Sequence, residues 1–342
     1  MKFYIYCLIL ITFSCSKNQK SIDDSEKLEV GLTPLIQVAD KLNYLKIDTL
    51  SNGYLVSYSK SMVNSGGYTI NKLGVTGKST ILIQSPLNSM QNVNIEKAFI
   101  SFIENNFKKD ELRSELMYSS DHGRTWKSLK TPLESIRTFF WTNEYLILEG
   151  NLNGSGQVVV SYNNGKNWRN YNYLSENIKS FYLIDCIDNK KILFRGYKSY
   201  NDKDGFLGLL DVKKNHFKTL TTIKDDSHVV KVNNKDKSLY CLYNDRKALI
   251  YTVKDGLQKT EFEFQLPSKT KQIEELYFNE SCLIISVSNN TVGEQIATWI
   301  SYNKGKLWNL FKPGENFRLV NNTLGAIFVI DEHNMIYKAE LK

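Results

Sequence analysis

The chain is 342 residues long and 42% hydrophobic, enough to bury a large core. Its net charge of +8 is dispersed, with basic residues scattered among acids and only short clusters such as Lys108-Lys109 and Lys190-Lys191, which argues against a nucleic-acid footprint. Four histidines (His122, His216, His228, His333) without ligand spacing, no glycine-rich phosphate loop and no Gly-x-Ser-x-Gly elbow argue against metal, nucleotide and serine-hydrolase chemistry, so no metal and no cofactor are expected.

The amino terminus reads as a secretory signal over residues 1–14. Met1-Lys2 is followed by an apolar run, Phe3 to Phe13, too short to span a bilayer as a helix. Ser14-Cys15 resembles a bacterial lipoprotein cleavage site. That resemblance implies a lipid on Cys15, membrane attachment through it, and residence in a bacterial envelope, at the outer membrane, facing the periplasm or the surface. An ordinary signal peptide with an incidental Cys is the alternative. Residues 15–27 read as a polar, flexible tether. Within them Asp23-Asp24 after Lys20 resembles the surface-export signal of some Bacteroidetes lipoproteins.

From residue 28 to 342 the pattern is β throughout, read as one domain. The runs YLVSYS, AFISFIE, YLILEG, KILFRGY, SLYCLY and CLIISVS are expected as strands near the centres of successive sheets, with no stretch of helical period. All five prolines (Pro34, Pro86, Pro132, Pro267, Pro313) are expected just after a fourth strand, because proline cannot serve inside a ladder. Pro34 to Pro313 spans 279 positions, or six steps of about 46.

Three segments are versions of one another: SSDHGRTW (Ser119, Asp121, Gly123, Trp126), SYNNGKNW (Ser161, Asn163, Gly165, Trp168) and SYNKGKLW (Ser301, Asn303, Gly305, Trp308). Each follows an apolar run (SELMY, QVVV, IATWI). The Asp or Asn oxygen suits a tight turn, Gly suits a positive φ, and Trp suits a wedge between stacked sheets. The pattern resembles the Asp box, or BNR repeat, of sialidases, sortilin-type receptors and photosystem-assembly propellers. It implies a hairpin between the third and fourth strands of a propeller blade.

The first two copies lie 42 positions apart and the last two 140, or three steps of about 47. Degraded copies are therefore expected at Asp211 with Phe217 near the Trp slot, at Asp255-Gly256, and upstream at Thr69 to Lys78. The expected fold is all-β, a seven-bladed β-propeller with six blades as the alternative. KLEVGLTP would pair with NFRLV, AIFVI and MIYKAEL, closing the last blade so that no sheet edge stays open. Besides Cys15, the cysteines Cys186, Cys241 and Cys282 sit in or beside apolar strands and read as buried small hydrophobes, although a disulfide is possible in an oxidising compartment.

Sialidases resemble one another in an Arg-Ile-Pro motif, three arginines that clamp the substrate carboxylate, and a Tyr nucleophile paired with Glu. This chain lacks Arg-Ile-Pro, and two of its seven arginines, Arg124 and Arg169, lie in or beside the boxes. A non-catalytic binding or assembly platform for an envelope protein fits better, with a glycan-active propeller, hydrolase or lectin, as the alternative. First strands are expected at NIEKAF, SIRTFF, NIKSFY, SHVVKV, QIEELY and NFRLVN. Their third column (Glu96, Arg137, Lys179, Val229, Glu274, Arg318) would place a mixed ring of charges at the channel mouth, either recognising a polar partner or pairing internally. Two long connections above it add the aromatics Phe107, Tyr197 and Tyr200 as candidate contacts.

Overall fold

The computed structural model describes residues 30–341 apart from 39–41, 51–52, 61–65, 97, 109–110, 172–177, 188–189, 199–203, 225–227, 234–238, 245–246, 255–256, 268–271, 289–296, 313 and 323–325. The expected signal, Cys15 and the tether lie outside these residues, as do Tyr200 and Asp255-Gly256.

The described residues form strands and turns, with no helix among them. Strand β1 (Val30–Gln37) is followed by four-stranded antiparallel meanders in chain order. They are β2–β5 (Leu42–Leu50, Gly53–Lys60, Tyr68–Gly74, Ser79–Ser85) and β6–β9 (Ser89–Glu96, Phe99–Lys108, Glu111–Ser119, Lys127–Leu129). Next come β10–β13 (Ser135–Trp141, Leu146–Leu152, Ser155–Ser161, Arg169–Tyr171) and β14–β17 (Ser180–Ile187, Lys191–Tyr197, Gly205–Asp211, His216–Ile223). Then β18–β21 (His228–Asn233, Leu239–Tyr243, Lys247–Lys254, Leu257–Gln265) and β22–β25 (Gln272–Phe278, Leu283–Ser288, Ala297–Ser301, Asn309–Leu310) follow. The chain finishes with β26 (Phe317–Leu319), β27 (Asn321–Asn322), β28 (Ile327–Asp331) and β29 (Met335–Leu341).

β1 pairs antiparallel with β29, so one four-stranded sheet runs β1-β29-β28-β26. β18 and β22 touch in parallel through Val232↔Leu276 and Asn233↔Tyr277, which joins two meanders into an eight-stranded sheet. β27 lies parallel to β2 in the same way, through Lys46↔Asn321 and Ile47↔Asn322.

The six apolar runs picked from the sequence are the second strands of their meanders. Their side chains are buried on both sheet faces in succession, as at Leu146-Ile147-Leu148, Ile192-Leu193-Phe194 and Leu283-Ile284-Ile285. A strand is apolar at consecutive positions only when both of its faces are covered. Outer strands differ: β5 and β17 are largely exposed. Among the described residues the core divides into seven clusters, each between consecutive meanders or between a meander and the last sheet. One of these joins Phe328, Ile330 and Ile336 of the last sheet to Ile47, Val56 and Leu73 of the first meander.

Three local expectations are corrected. Pro34 lies inside β1, at a register shift between Pro34 and Ile36, and the strand continues to Gln37. As an outermost strand β1 has one unpaired edge, which tolerates a residue without an N–H. NIEKAF is not a first strand: Glu96 ends β6 and Phe99 begins β7, with the hairpin between them. The segment around Phe107 is not a long loop but an extension of the β7–β8 ladder through Phe107↔Leu112 and Lys108↔Glu111. Of the cysteines, Cys241 and Cys282 are buried and Cys186 half-buried, and all three are free thiols. Burial pushes the Cys282 thiol up to about 12.

Candidate functional site

Four antiparallel strands per meander return the chain to the side on which it started. All first strands therefore begin at one rim, called upper here, which also carries the second-to-third turns. The first-to-second and third-to-fourth turns lie on the opposite, lower rim.

Five first strands (β2, β6, β10, β14, β22) carry a register shift, near the start in β2, β10 and β22 and further along in β6 and β14. A bulge leaves a backbone N–H outside the ladder, and a buried N–H needs an acceptor. In three of these strands the neighbouring meander supplies it. The Val93 N–H donates to the Tyr44 hydroxyl at 3.0 Å, the Leu183 N–H to Glu149 Oε2 at 2.8 Å, and the Ile273 N–H to the Tyr243 hydroxyl at 3.1 Å. At β26 the Leu319 N–H donates to Ser286 Oγ at 2.7 Å. Lys231 and the Tyr240 hydroxyl both meet Asp185 Oδ2 at 2.8 Å, tying β18 and β19 to β14.

Four of the predicted ring positions sit at the upper ends of first strands: Arg137 in β10, Lys179 just before β14, Glu274 in β22 and Arg318 in β26. Arg137 is the bulged residue of its strand. Its Nη1 lies 2.5 Å from Glu149 Oε1, with Arg137 48% exposed and Glu149 only 3%. The guanidinium also lies 5.1 Å from the ring centre of the exposed Tyr182. It is thus held by a buried carboxylate on one side and an aromatic face on another, while half of it meets solvent. Burial raises the Glu149 carboxyl above the ordinary carboxylate range, opposed by the Leu183 N–H and Arg137. Burial also lowers Arg318, opposed by Glu274 and Glu275. Glu274 accepts from Ser288 Oγ at 2.6 Å. The Lys179 N–H donates to the Tyr197 carbonyl at 2.8 Å, and the Arg195 guanidinium lies 5.0 Å from the Tyr197 ring. Val229 adds no charge, and Glu96 belongs to the opposite rim.

On the same rim, over the second to fourth strands of the first meander, a groove of about 540 Å³ is lined by Tyr58, Lys60, Tyr68, Pro86 and Leu87 among others. The Tyr68 hydroxyl donates to Glu104 Oε1 at 2.8 Å, as does Asn88 Nδ2 at 3.0 Å.

The three repeated segments form one turn three times on the lower rim, between third and fourth strands. In each, the Ser hydroxyl donates to the Asp or Asn oxygen (2.7, 3.0 and 3.0 Å) and accepts the Gly N–H at 2.8 Å. The Asp or Asn oxygen accepts the N–H of Thr125, Asn167 or Leu307 at 2.9, 2.8 and 2.8 Å. Bonds from the Thr125 N–H and hydroxyl and from Ser119 hold the Asp121 carboxyl well below its usual range. The two central residues take positive φ each time: His122 59° and Gly123 82°, Asn164 54° and Gly165 83°, Lys304 56° and Gly305 78°. A Cβ on these glycines would come within 2.8, 2.6 and 2.5 Å of Leu82, Leu129 and Phe264, all on the fourth strand of the preceding sheet. Trp126, Trp168 and Trp308 are half-buried against the clusters there, and Trp308 Nε1 donates to the Gln265 carbonyl at 2.8 Å. At Asp211 the Lys214 N–H is accepted (3.0 Å), with Phe217 packed against a core cluster, while the turn from Gly74 to Lys78 closes through backbone bonds, Gly74 N–H to the Lys78 carbonyl and Gly77 N–H to the Gly74 carbonyl.

The bonds between sheets were not readable from the sequence, because Glu149, Asp185, Tyr243 and Ser286 act on residues 30 or more positions away. A lone charged residue within an apolar run (Glu149 in YLILEG, Asp185 in FYLIDC) was the available signal.

No known protein family matches the sequence, and no curated protein matches it. Solved structures do. YCF48 bound to a D1 peptide is 10% identical with a TM-score of 0.57, over 92% of this chain and 97% of that one. The β-propeller domain of the Trilobed protease from Pyrococcus furiosus is 11% identical with a TM-score of 0.56, over 88% and 98%. A catalytically inactive virginiamycin B lyase from Staphylococcus aureus with quinupristin is 14% identical with a TM-score of 0.58, over 92% and 100%. At such low identity these likenesses speak for architecture and not for activity, and the architecture is that of a β-propeller.

Proposed function

We propose that this chain is a seven-bladed Asp-box propeller over residues 28–342 that acts without catalysis as a protein-binding or assembly platform. It is held at a bacterial outer membrane by a lipid on Cys15. The blade number is supported by seven core clusters, one per junction, and by the β1–β29 pairing that supplies a fourth strand to the last sheet. The three identical turns support the Asp-box reading. Arg137 carries the functional reading: a guanidinium fixed by Glu149 and Tyr182 yet 48% exposed presents unused donors at the channel mouth. Recognition of a partner's carboxylate or backbone carbonyl needs such donors, fixed in advance.

Crosslinked pull-down of the tagged protein from its own envelope, alongside Arg137→Ala/Arg318→Ala, tests this. A protein partner captured by the wild type and lost in the variant supports the platform. A partner retained by the variant moves the site elsewhere.

The second reading, a glycan-active propeller, is favoured by the Tyr68–Glu104 pair beside its groove, which resembles the nucleophile pair of sialidases. The described lining of that groove includes no arginine to clamp a carboxylate. Binding to a sialoside and oligosaccharide panel that depends on Tyr68 would establish it.

A further inference from the structure

The lower rim differs from the upper one in a way the platform reading does not use. The sixth position of each repeated turn is basic and exposed: Arg124, Lys166 and Lys306. Lys304 and the Lys213-Lys214 pair stand exposed on the third-to-fourth turns of the same rim. Among the described residues, none of these six has a carboxylate partner. Of the carboxylates on this rim, Asp121 and Asp211 are engaged inside their turns and Glu144 with Lys190 at 3.4 Å, while Glu280 on the β22–β23 turn is exposed. The upper rim carries pairs such as Arg137–Glu149, Lys247–Glu263 and Lys312–Glu315, beside exposed lysines such as Lys130 and Lys224.

Apolar residues project from this rim as well. Val75 at the β4–β5 turn is 82% exposed, Leu307 at the β24–β25 turn 69%, and Tyr162 at the β12–β13 turn 46%. β1 also begins here, so the chain enters the described structure at Val30 on the basic rim.

We propose that the lower rim is a docking surface for an anionic lipid bilayer. Each Lys or Arg close to such a surface gains about 1 kcal/mol, and exposed apolar tips enter the interfacial region. A surface of this kind needs several unpaired cations spread over a face, apolar tips among them, and no deep pocket. The sixth-position cations and the tips at Val75 and Leu307 supply these on turns that the scaffold holds rigidly. This docking does not require the lipid on Cys15. It would orient the molecule, leaving the channel mouth pointing away from the membrane.

The test uses the full chain carrying Cys15→Ala, so that no covalent lipid contributes, in flotation with phosphatidylglycerol/phosphatidylcholine vesicles or with phosphatidylcholine alone. Three further variants are compared: Lys166→Glu/Lys306→Glu, Val75→Ser/Leu307→Ser, and the upper-rim control Lys130→Glu/Lys224→Glu. All share the same amino-terminal residues, so differences among them report on the rims. Thermal melts check that each is folded. The protein is expected to float with the anionic vesicles and not with the neutral ones. Lys166→Glu/Lys306→Glu should bind at least about 30-fold more weakly, since the loss of two contacts of about 1 kcal/mol each is joined by repulsion of the new carboxylates. Val75→Ser/Leu307→Ser should weaken binding several-fold, and the control should stay within about twofold. Equal binding to neutral vesicles, or equal losses from reversals on the two rims, would overturn the proposal. So would a lower-rim reversal that leaves vesicle binding unchanged but releases an acidic protein from envelope crosslinks, because the occupant would then be that protein.

Discussion

Glu149 offers a test in which charge and hydrogen bonding separate. Its Oε2 accepts the Leu183 N–H at 2.8 Å and its Oε1 meets Arg137 at 2.5 Å. In Glu149→Ala a buried N–H is left without its acceptor, a loss of about 1–3 kcal/mol. Arg137, 48% exposed, recovers water, so its share of the loss is under about 1 kcal/mol. The expected total is about 1–4 kcal/mol, with Glu149→Gln losing only about 1 kcal/mol because its amide oxygen still accepts from Leu183. The pH dependence follows from burial. The folded carboxyl titrates above the unfolded one, so the folded state holds the proton more tightly. Its contribution to stability is full below the unfolded value of about 4.3 and is lost as pH rises through the folded value. Urea unfolding of wild type, Glu149→Gln and Glu149→Ala across a pH series reads both effects. The advantage of wild type over Glu149→Gln should be largest at acid pH and shrink as pH rises. An advantage that grew with pH would mean that the pair with Arg137 outweighs burial, and the argument would fail.

Three other outcomes are expected. Trp168→Ala, at a half-buried wedge against the cluster containing Leu129 and Val159, should cost about 2–3 kcal/mol; an unchanged melting temperature would remove the wedge role. Ser286→Ala should cost about 1–3 kcal/mol, because the buried Leu319 N–H loses its acceptor across the sheet boundary, measurable as faster amide exchange at Leu319. Cys15→Ala should come off cell membranes in a high-salt wash that leaves the wild type attached, and if it stays with the membrane by an amount that survives high salt, the lipid anchor is refuted.

What was legible in the sequence is what depends on near neighbours. The Ser, Asp or Asn, and Gly of each repeated turn bond within four positions, so eight residues contain the whole device. Second strands stood out because burial on both faces forces an unbroken apolar run, as in Leu283-Ile284-Ile285. First strands were legible at SIRTFF, NIKSFY, SHVVKV, QIEELY and NFRLVN, which fall on β10, β14, β18, β22 and β26, but not at NIEKAF, where β6 ends at Glu96, β7 begins at Phe99, and a bulge upsets the alternation on which strand reading relies. The partners of the mouth residues were invisible for a further reason: Glu149 belongs to a neighbouring strand and secures Leu183 in the next sheet, 34 positions away.

The pairing of β1 with β29 has a mechanical consequence. Seven residue pairs, from Val30↔Leu341 to Gln37↔Met335, lie side by side along the strand. Tension applied through residue 30 from the lower rim pulls along the axis of β1, so these pairs are loaded together in shear. A strand pulled from its side would instead surrender its bonds one after another, at lower force. A molecule tugged from its amino-terminal side while its upper face grips something else therefore meets the load with its closure at its strongest.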